Sequence, residues 1–262
     1  VTPAASGRPA VRTRDVVFLV AAVLMAAVFM RLGFWQLTRL SERRARNALV
    51  IARLGEPAVP FAKLPRDSAA ARYRRARISG TYDFAHEVVF VNRIRDGAPG
   101  VQLVTPLAPD SGVLGDTMVL VDRGWVYAPD GTTVDGAAWR EPAHLDGSGY
   151  VQEYLVLGQS AAVLPGHPSW YRWLDPAVIA KAVGRPVAGY YVVLDSGAGE
   201  GPRLPQRVPT PPLDEGPHMS YAIQWFSFAA IALAGTFMGV FVLRGTLRVA
   251  REENHREEKV DK

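Results

Sequence analysis

The chain has 262 residues and a formal net charge of +5, with arginine supplying most of the basic side. It contains no cysteine, which excludes disulfides, thiolate metal sites, iron–sulfur clusters and cysteine nucleophiles together. The positive balance is compatible with nucleic acid, an anionic membrane surface or the flanks of membrane spans, so where the charges fall has to decide.

Residues 1–15 are basic and rich in proline and alanine, and read as a polar tail. Val16 to Leu37 is apolar except for Arg31 and Gln36. At about 1.5 Å of rise per residue it reaches roughly 33 Å, enough to cross a bilayer. A cleaved signal peptide would share the basic front of Arg8, Arg12 and Arg14. No small-x-small cleavage pattern follows the apolar core, where Met30-Arg31-Leu32 stands instead, so a retained signal anchor is the better reading. A charge inside a span is costly, and Arg31 can snorkel to the outer interface past Trp35 and Gln36. Alternatively Arg31, or Arg39 beyond it, pairs with an acidic group. Thr38 to Leu54 continues as a charged helix that Gly55 and Pro57 stop, and residues 55–70 form an Ala/Pro loop.

The texture then changes. Tyr73–Gly80, Val88–Asn92, Val101–Leu107, Met118–Tyr127, Tyr150–Leu157 and Val187–Leu194 are short and rich in β-branched and aromatic residues. Turn signals separate them at Arg95-Asp96-Gly97, Pro109-Asp110, Pro129-Asp130-Gly131 and Asp146-Gly147. They predict a mainly antiparallel β domain, a small barrel or curled sheet. One helix is marked by Asp175 as N-cap, Pro176 at its first position and Gly184 after its end. Arg72, Arg74, Arg75 and Arg77 read as a solvated or membrane-facing patch. Asp122-Arg123-Gly124-Trp125 reads as a buried turn at a strand end, the arginine pairing with the aspartate and the tryptophan packing. Gly197 to Pro217 is a Gly/Pro-rich connector.

Tyr221 to Leu243 is a second uncharged apolar run of similar reach, followed by a charged tail. Arg244, Arg248 and Arg251 follow it directly while Asp214 and Glu215 precede it, which places the C-terminus in the cytoplasm. Parity puts the N-terminus on the same side. The first span alone leans the other way, because Arg39, Arg43, Arg44 and Arg46 follow it; a long translocated domain is less governed by flanking charge. Gly235-x-x-x-Gly239 permits close backbone approach to Ala21-Ala22 and Ala26-Ala27 of the first span. The fold class is a membrane protein: transmembrane helices 16–37 and 221–243 flank an extracytoplasmic, mainly antiparallel β (α+β) domain over 38–220, between cytoplasmic tails 1–15 and 244–262.

No P-loop, G-x-G-x-x-G, G-x-S-x-G or H-E-x-x-H is present, and no nucleophile–base pair stands out, so the chain is not expected to be an enzyme. The arginines are not interleaved with stacking aromatics on a strand platform, which argues against nucleic acid. Of the histidines His86, His144, His167, His218 and His255, no two lie three or four apart, so there is no local zinc pair. His218, Tyr221, Ala222 and Trp225 fall at i, i+3, i+4 and i+7 of a helix, at the mouth of the second span. An imidazole there suits axial ligation of haem iron, with the macrocycle against the aromatic face. The other reading is an interfacial aromatic belt.

Leu32–Leu40 (LGFWQLTRL), Gly100–Leu107 (GVQLVTPL), Val119–Val126 (VLVDRGWV), Trp170–Asp175 (WYRWLD) and His218–Ala229 (HMSYAIQWFSFA) occur in this order around both spans. In this the chain resembles the Surfeit locus protein 1 family of cytochrome c oxidase assembly factors, over nearly its whole length. The resemblance implies two spans, an extracytoplasmic β-rich domain and localisation in a bacterial inner membrane. It implies help in building the core haem–copper subunit of cytochrome c oxidase, with His218 matching the histidine taken to bind haem a in some bacterial members. Trp35, Gln36, Arg39, Arg123, Gly124, Trp125, Tyr221 and Trp225 match motif positions whose individual roles the match does not establish. The alternative is a permanent accessory subunit of an oxidase or respiratory supercomplex; an unrelated membrane-tethered module ranks last. The expected partners are that core subunit and membrane lipid. The site residues expected for haem a are His218, Tyr221, Trp225, Arg31 and Arg39.

Overall fold

The computed structural model describes residues 13–155, 162–197 and 204–260. The expected tail with Arg8 and Arg12, the end of the strand expected over Tyr150–Leu157, part of the 197–217 connector, and the Arg251 and His255 side chains lie outside what is described. The chain divides into two compact units, Val1–Asn47 with Leu213–Lys262, and Ala48–Pro212.

The first unit is a helix pair. α1 (Thr13–Gly55) joins the first span and its charged extension in one continuous helix, and α4 (His218–Val260) does the same for the second, so most of the expected charged tail is helical. On the part of α1 in this unit the less exposed positions include Leu19, Ala22, Ala26, Phe29, Gly33, Gln36, Leu40, Arg43 and Asn47. On α4 they include His218, Ala222, Trp225, Ala229, Ala232, Thr236 and Gly239. Both series step alternately by three and four, the spacing that gives a seam between two helices at a shallow crossing angle. Phe29 stacks on Trp225 with ring centroids 5.7 Å apart, and the Leu19 side chain lies beside Gly239. These contacts make the pair antiparallel.

Outside the seam the span portions of both helices expose mostly apolar side chains. Phe18, Leu24 and Val28 of α1 and Ile231, Phe237 and Phe241 of α4 are exposed. Only 11 % and 6 % of the two most apolar windows is buried, far below what a soluble core helix requires. Two helices long and apolar enough to cross a membrane thus flank the β-rich unit.

The Gly235-x-x-x-Gly239 reading needs correction. A Cβ at Gly235 would meet nothing, while one at Gly239 would come within 3.2 Å of Leu19. Four residues advance a helix by about 400°, and here that step carries Gly235 off the seam. The close-packed glycine is Gly33, where a Cβ would lie 2.5 Å from the Phe226 ring.

The second unit is built on β1 (Val59–Pro60), α2 (Ser68–Ala71), β2 (Arg75–Tyr82), β3 (Val88–Phe90), β4 (Gly100–Pro109), β5 (Val119–Tyr127), β6 (His144–Glu153), β7 (Val163–Leu164), β8 (His167–Tyr171), α3 (Pro176–Val183) and β9 (Tyr190–Ser196). Strands pair in the order β2–β6–β9–β5–β4, and β4 pairs again with β2, closing a five-stranded barrel. Closure removes the edges of this ring. β3, β8 and β7 extend the sheet from β4. Most pairs are antiparallel; β5–β9, β3–β8 and β1–β2 are parallel. Ile78, Leu107, Val119, Val121, Val151, Val192 and Leu194 fill the interior. The expected cap on α3 is present: the Asp175 carboxylate accepts from the N–H groups of Ala177 and Val178, and Gly184 closes the helix at φ 72°.

Two local readings differ. Asp146-Gly147 lies inside β6 rather than in a turn. Gly149 there faces the Val193 carbonyl so closely that no Cβ fits, which is the other use of glycine in a strand. Arg72, Arg74 and Arg75 are not a free basic patch, since they pair with Glu153, Glu56 and Asp195.

Candidate functional site

His218 opens α4. The Pro217 carbonyl accepts from the Tyr221 N–H at 3.1 Å and the Ser220 hydroxyl at 2.8 Å. This turn aims the imidazole at α1, where Nδ1 lies 2.8 Å from Oε1 of Gln36. Gln36 is only 8 % exposed. An amide oxygen only accepts, so in the neutral ring Nδ1 carries the proton and Nε2 presents its lone pair. Nε2 has no hydrogen bond to a described residue. Gly216, at φ 68°, leaves space beside it: a Cβ there would sit 3.6 Å from Nε2.

Trp225 continues this face, stacked on Phe29 and edge-on to Phe228 at 6.0 Å. Tyr221 does not. Three residues turn a helix by about 300°, which sets Tyr221 roughly 60° to one side of His218, and its ring is exposed. Arg31 lies across α1 from the seam, exposed beside Trp35, Val28 and Thr38, with no ion pair among the described residues. Arg39 is also exposed; it pairs with Glu42 at 2.7 Å and lies 5.7 Å over the Trp35 ring. The structure therefore brings together His218, Trp225 and Gln36, and leaves Tyr221, Arg31 and Arg39 off the seam. Gln36 as the partner of His218 is what sequence reasoning missed; the signal was the three–four stepping of small and polar residues from Ala22 to Asn47.

Among the described residues no group of three or more His, Asp or Glu side chains could hold a metal ion. One anchored imidazole with a free nitrogen does suit an iron that arrives already held by a macrocycle, which needs only an axial ligand from the protein.

A second polar assembly lies in the barrel. Arg123 is fully buried and lies on the same face of β5 as the interior residues Val119 and Val121. Its Nε donates to Thr105 Oγ1 at 2.9 Å, and Nη1 donates to the Trp139 carbonyl at 2.7 Å and Glu141 at 3.2 Å. Nη2 donates to Glu87, which also accepts from the Thr105 hydroxyl. Arg207 donates to Glu141 and to the Arg123 carbonyl. Two arginines face two glutamates, so the cluster is neutral, and the rings of Phe84 and Tyr82 close over the guanidinium. The Tyr82 hydroxyl is the buried polar atom here without a partner; burial pushes its pKa up.

The expected Arg123–Asp122 pair is thus corrected. Neighbouring residues of a strand point to opposite faces. Asp122 is buried on the other face, where its carboxylate accepts from the Gly124 N–H at 3.0 Å. Burial raises its pKa to about 7, an effect only partly offset by that N–H and by the charges of Arg93, Arg207 and Arg123. Asp122-Arg123-Gly124-Trp125 is no turn: it runs inside β5 across a register shift, with Gly124 at φ 136° against the Gln206 carbonyl.

The SURF1 family matches residues 23–230, a span that includes Gln36, Arg123 and His218. A SURF1-like protein of Mycobacterium bovis is 30% identical over 248 residues, covering 90% of this chain and 85% of that one. The SURF1-like protein of Monosiga brevicollis is 29% identical over 238 residues, 81% of this chain and 82% of the relative. That of Rickettsia bellii is 26% identical over 210 residues, 78% and 82% respectively.

Proposed function

The chain belongs to the SURF1 family, and from that premise we propose that it is a non-enzymatic, membrane-anchored assembly factor for haem-a-containing cytochrome c oxidase, with His218 as axial ligand. The observation that carries this reading is the Gln36–His218 hydrogen bond, which leaves Nε2 as a spare, oriented donor. Haem a, if bound, would be held by His218 and would supply the redox-active iron that the oxidase requires. Gln36 keeps the proton on Nδ1 and fixes the ring. Trp225, Phe29 and Phe228 keep water from that side of the seam. Arg31 and Arg39 both lie off the seam, and Arg39 is already held by Glu42, so pairing with a propionate would require either side chain to swing toward His218.

The proposed orientation puts both termini in the cytoplasm of a bacterial inner membrane. Taken alone, the four arginines after the first span, Arg39, Arg43, Arg44 and Arg46, favour the opposite orientation. Three of the four are neutralised: Arg39 by Glu42, Arg43 by Asp214 at 3.1 Å and Arg44 by Glu215 at 2.7 Å. The Arg44 guanidinium holds the Glu215 carboxyl below its ordinary value. The rule counts basic residues near short loops and gives acids little weight, and the long domain after the first span translocates largely regardless of charge, so the reading rests on the arginines after the second span. The proposed partner is the nascent core subunit, met near the outer leaflet.

The test is an absorption spectrum of the detergent-purified protein from cells making haem a, beside the His218→Ala form. Wild type should carry haem that the variant loses, and oxidase from the variant strain should be haem-poor. No haem on the wild type together with full oxidase activity in the variant strain would end the ligand claim. Stoichiometric recovery with the mature oxidase would replace a transient factor by an accessory subunit.

A further inference from the structure

The barrel unit carries an open cleft of about 460 Å³ that neither the helix seam nor the ion cluster uses. Its floor includes Gln102 of β4, and Arg93, Gln152 and Trp125 also face it. Gln102 is 92 % buried, given its 8 % exposure, yet its side-chain amide bonds to no described residue. A buried amide costs free energy unless its donors and acceptor are paired. Gln102 is not an orphan sealed in the core, because it lines the cleft. Gln152 likewise has no side-chain hydrogen bond to a described residue. Two unpaired amides therefore converge on one space.

The charges narrow the occupant. Arg95 is committed: its Nη1 donates to the Gln206 and Arg207 carbonyls and its Nε lies 3.8 Å from Asp96. Arg93 is stacked over the Phe90 ring at 4.2 Å and has no ion pair or hydrogen bond from its guanidinium to a described residue. Its charge acts on the buried Asp122. A single available guanidinium calls for a single negative charge, and a planar fork matches a carboxylate. Much of the remaining wall is apolar, including Ile94, the Trp125 ring and the proline-rich segment from Val208 to Pro212, which favours an apolar body.

We propose that this cleft binds a monocarboxylate with an apolar body, the carboxylate lying between Arg93 and the amides of Gln102 and Gln152. Two sources share that chemistry: a free organic acid, and the carboxyl terminus of a polypeptide.

The full-length protein labelled with 5-fluorotryptophan tests this by fluorine NMR in detergent, the Trp125 resonance being identified by its loss in Trp125→Phe. Probes are 3-phenylpropionate, its neutral amide, and a tripeptide ending in phenylalanine as free acid and as amide. Both acids should shift Trp125 saturably and both amides should not. Tighter binding of the small acid points to a metabolite, and tighter binding of the peptide acid to a chain terminus. Arg93→Met should weaken the acids by roughly tenfold or more, the scale of a lost charge-assisted pair. Gln102→Met should weaken them by a smaller factor while leaving the unfolding temperature unchanged. Arg93→Lys serves as second variant should Arg93→Met not fold, with partial retention expected. No saturable shift by either acid, or equal shifts by acids and amides, overturns the proposal.

Discussion

The helix seam and the barrel interior each bury polar side chains, and they treat them in opposite ways. In the barrel all three guanidinium nitrogens of Arg123 have acceptors, and the neighbouring glutamates are balanced by two arginines. Nothing is left over for a ligand except the Tyr82 hydroxyl. At the seam Gln36 uses its oxygen to hold one nitrogen of His218 and leaves the other without a partner among the described residues. A saturated, neutral cluster can only hold structure, since any ligand would have to displace a bond already made. A half-satisfied imidazole beside a glycine has a coordination site to offer. Saturation, more than burial, separates a strut from a site.

The sharpest break of this comparison is Arg123→Met. It strands Glu87 and Glu141 in the barrel without their buried cation, and breaking such a pair costs about 3–5 kcal/mol. The expected outcome is a large loss of unfolding free energy in denaturant titration, and an unaltered midpoint would remove the structural assignment. The next effect is the pH dependence carried by Asp122. Its folded pKa of about 7 lies above the ordinary 3.8, so the folded state holds the extra proton. That stability is fully present below pH ~4 and is lost as pH rises through about 7, by up to roughly 4 kcal/mol on the linkage relation. Asp122→Asn should flatten the unfolding temperature against pH between those limits. An unchanged slope would mean that Arg93, Arg207 and Arg123 keep the carboxylate charged, or that Tyr150 and Tyr191, which face it, do not exclude water. The smallest effect on stability is expected at the seam. Gln36→Leu should weaken haem binding about 10–100-fold, the usual scale for losing the partner of a ligand histidine. It should shift the unfolding midpoint far less than Arg123→Met. Gln36→Glu, which keeps an acceptor, should restore binding; if Leu and Glu bind haem alike, Gln36 does not position His218.

Much of this was legible in the letters because it is local. The span lengths follow from apolar runs of fixed rise. The α3 cap follows from Asp175, Pro176 and Gly184 standing within one short segment. The barrel strands followed from β-branched runs, although β7 and β8 went unseen because His167-Pro-Ser-Trp-Tyr looks like a loop until β3 pairs with it. Asp146-Gly147 misled for the same reason, since glycine signals a turn and a close strand contact with the same letter. Of the site, His218 was visible as a polar residue at the mouth of an apolar run, whereas Gln36 stands 182 residues away. The partners of Arg123 range from 16 to 84 residues away, and no local pattern links them.

The sequence by itself determined two apolar helices around a β-rich domain, the candidate histidine and the family, because hydropathy, capping and motif order are properties of neighbouring residues. Only the tertiary structure decided that the ring of strands closes, that Arg123 turns to the glutamates and away from Asp122, and that Gln36 takes one nitrogen of His218. Those outcomes depend on which face of a strand or helix meets which distant partner, and that is settled by packing of the whole chain.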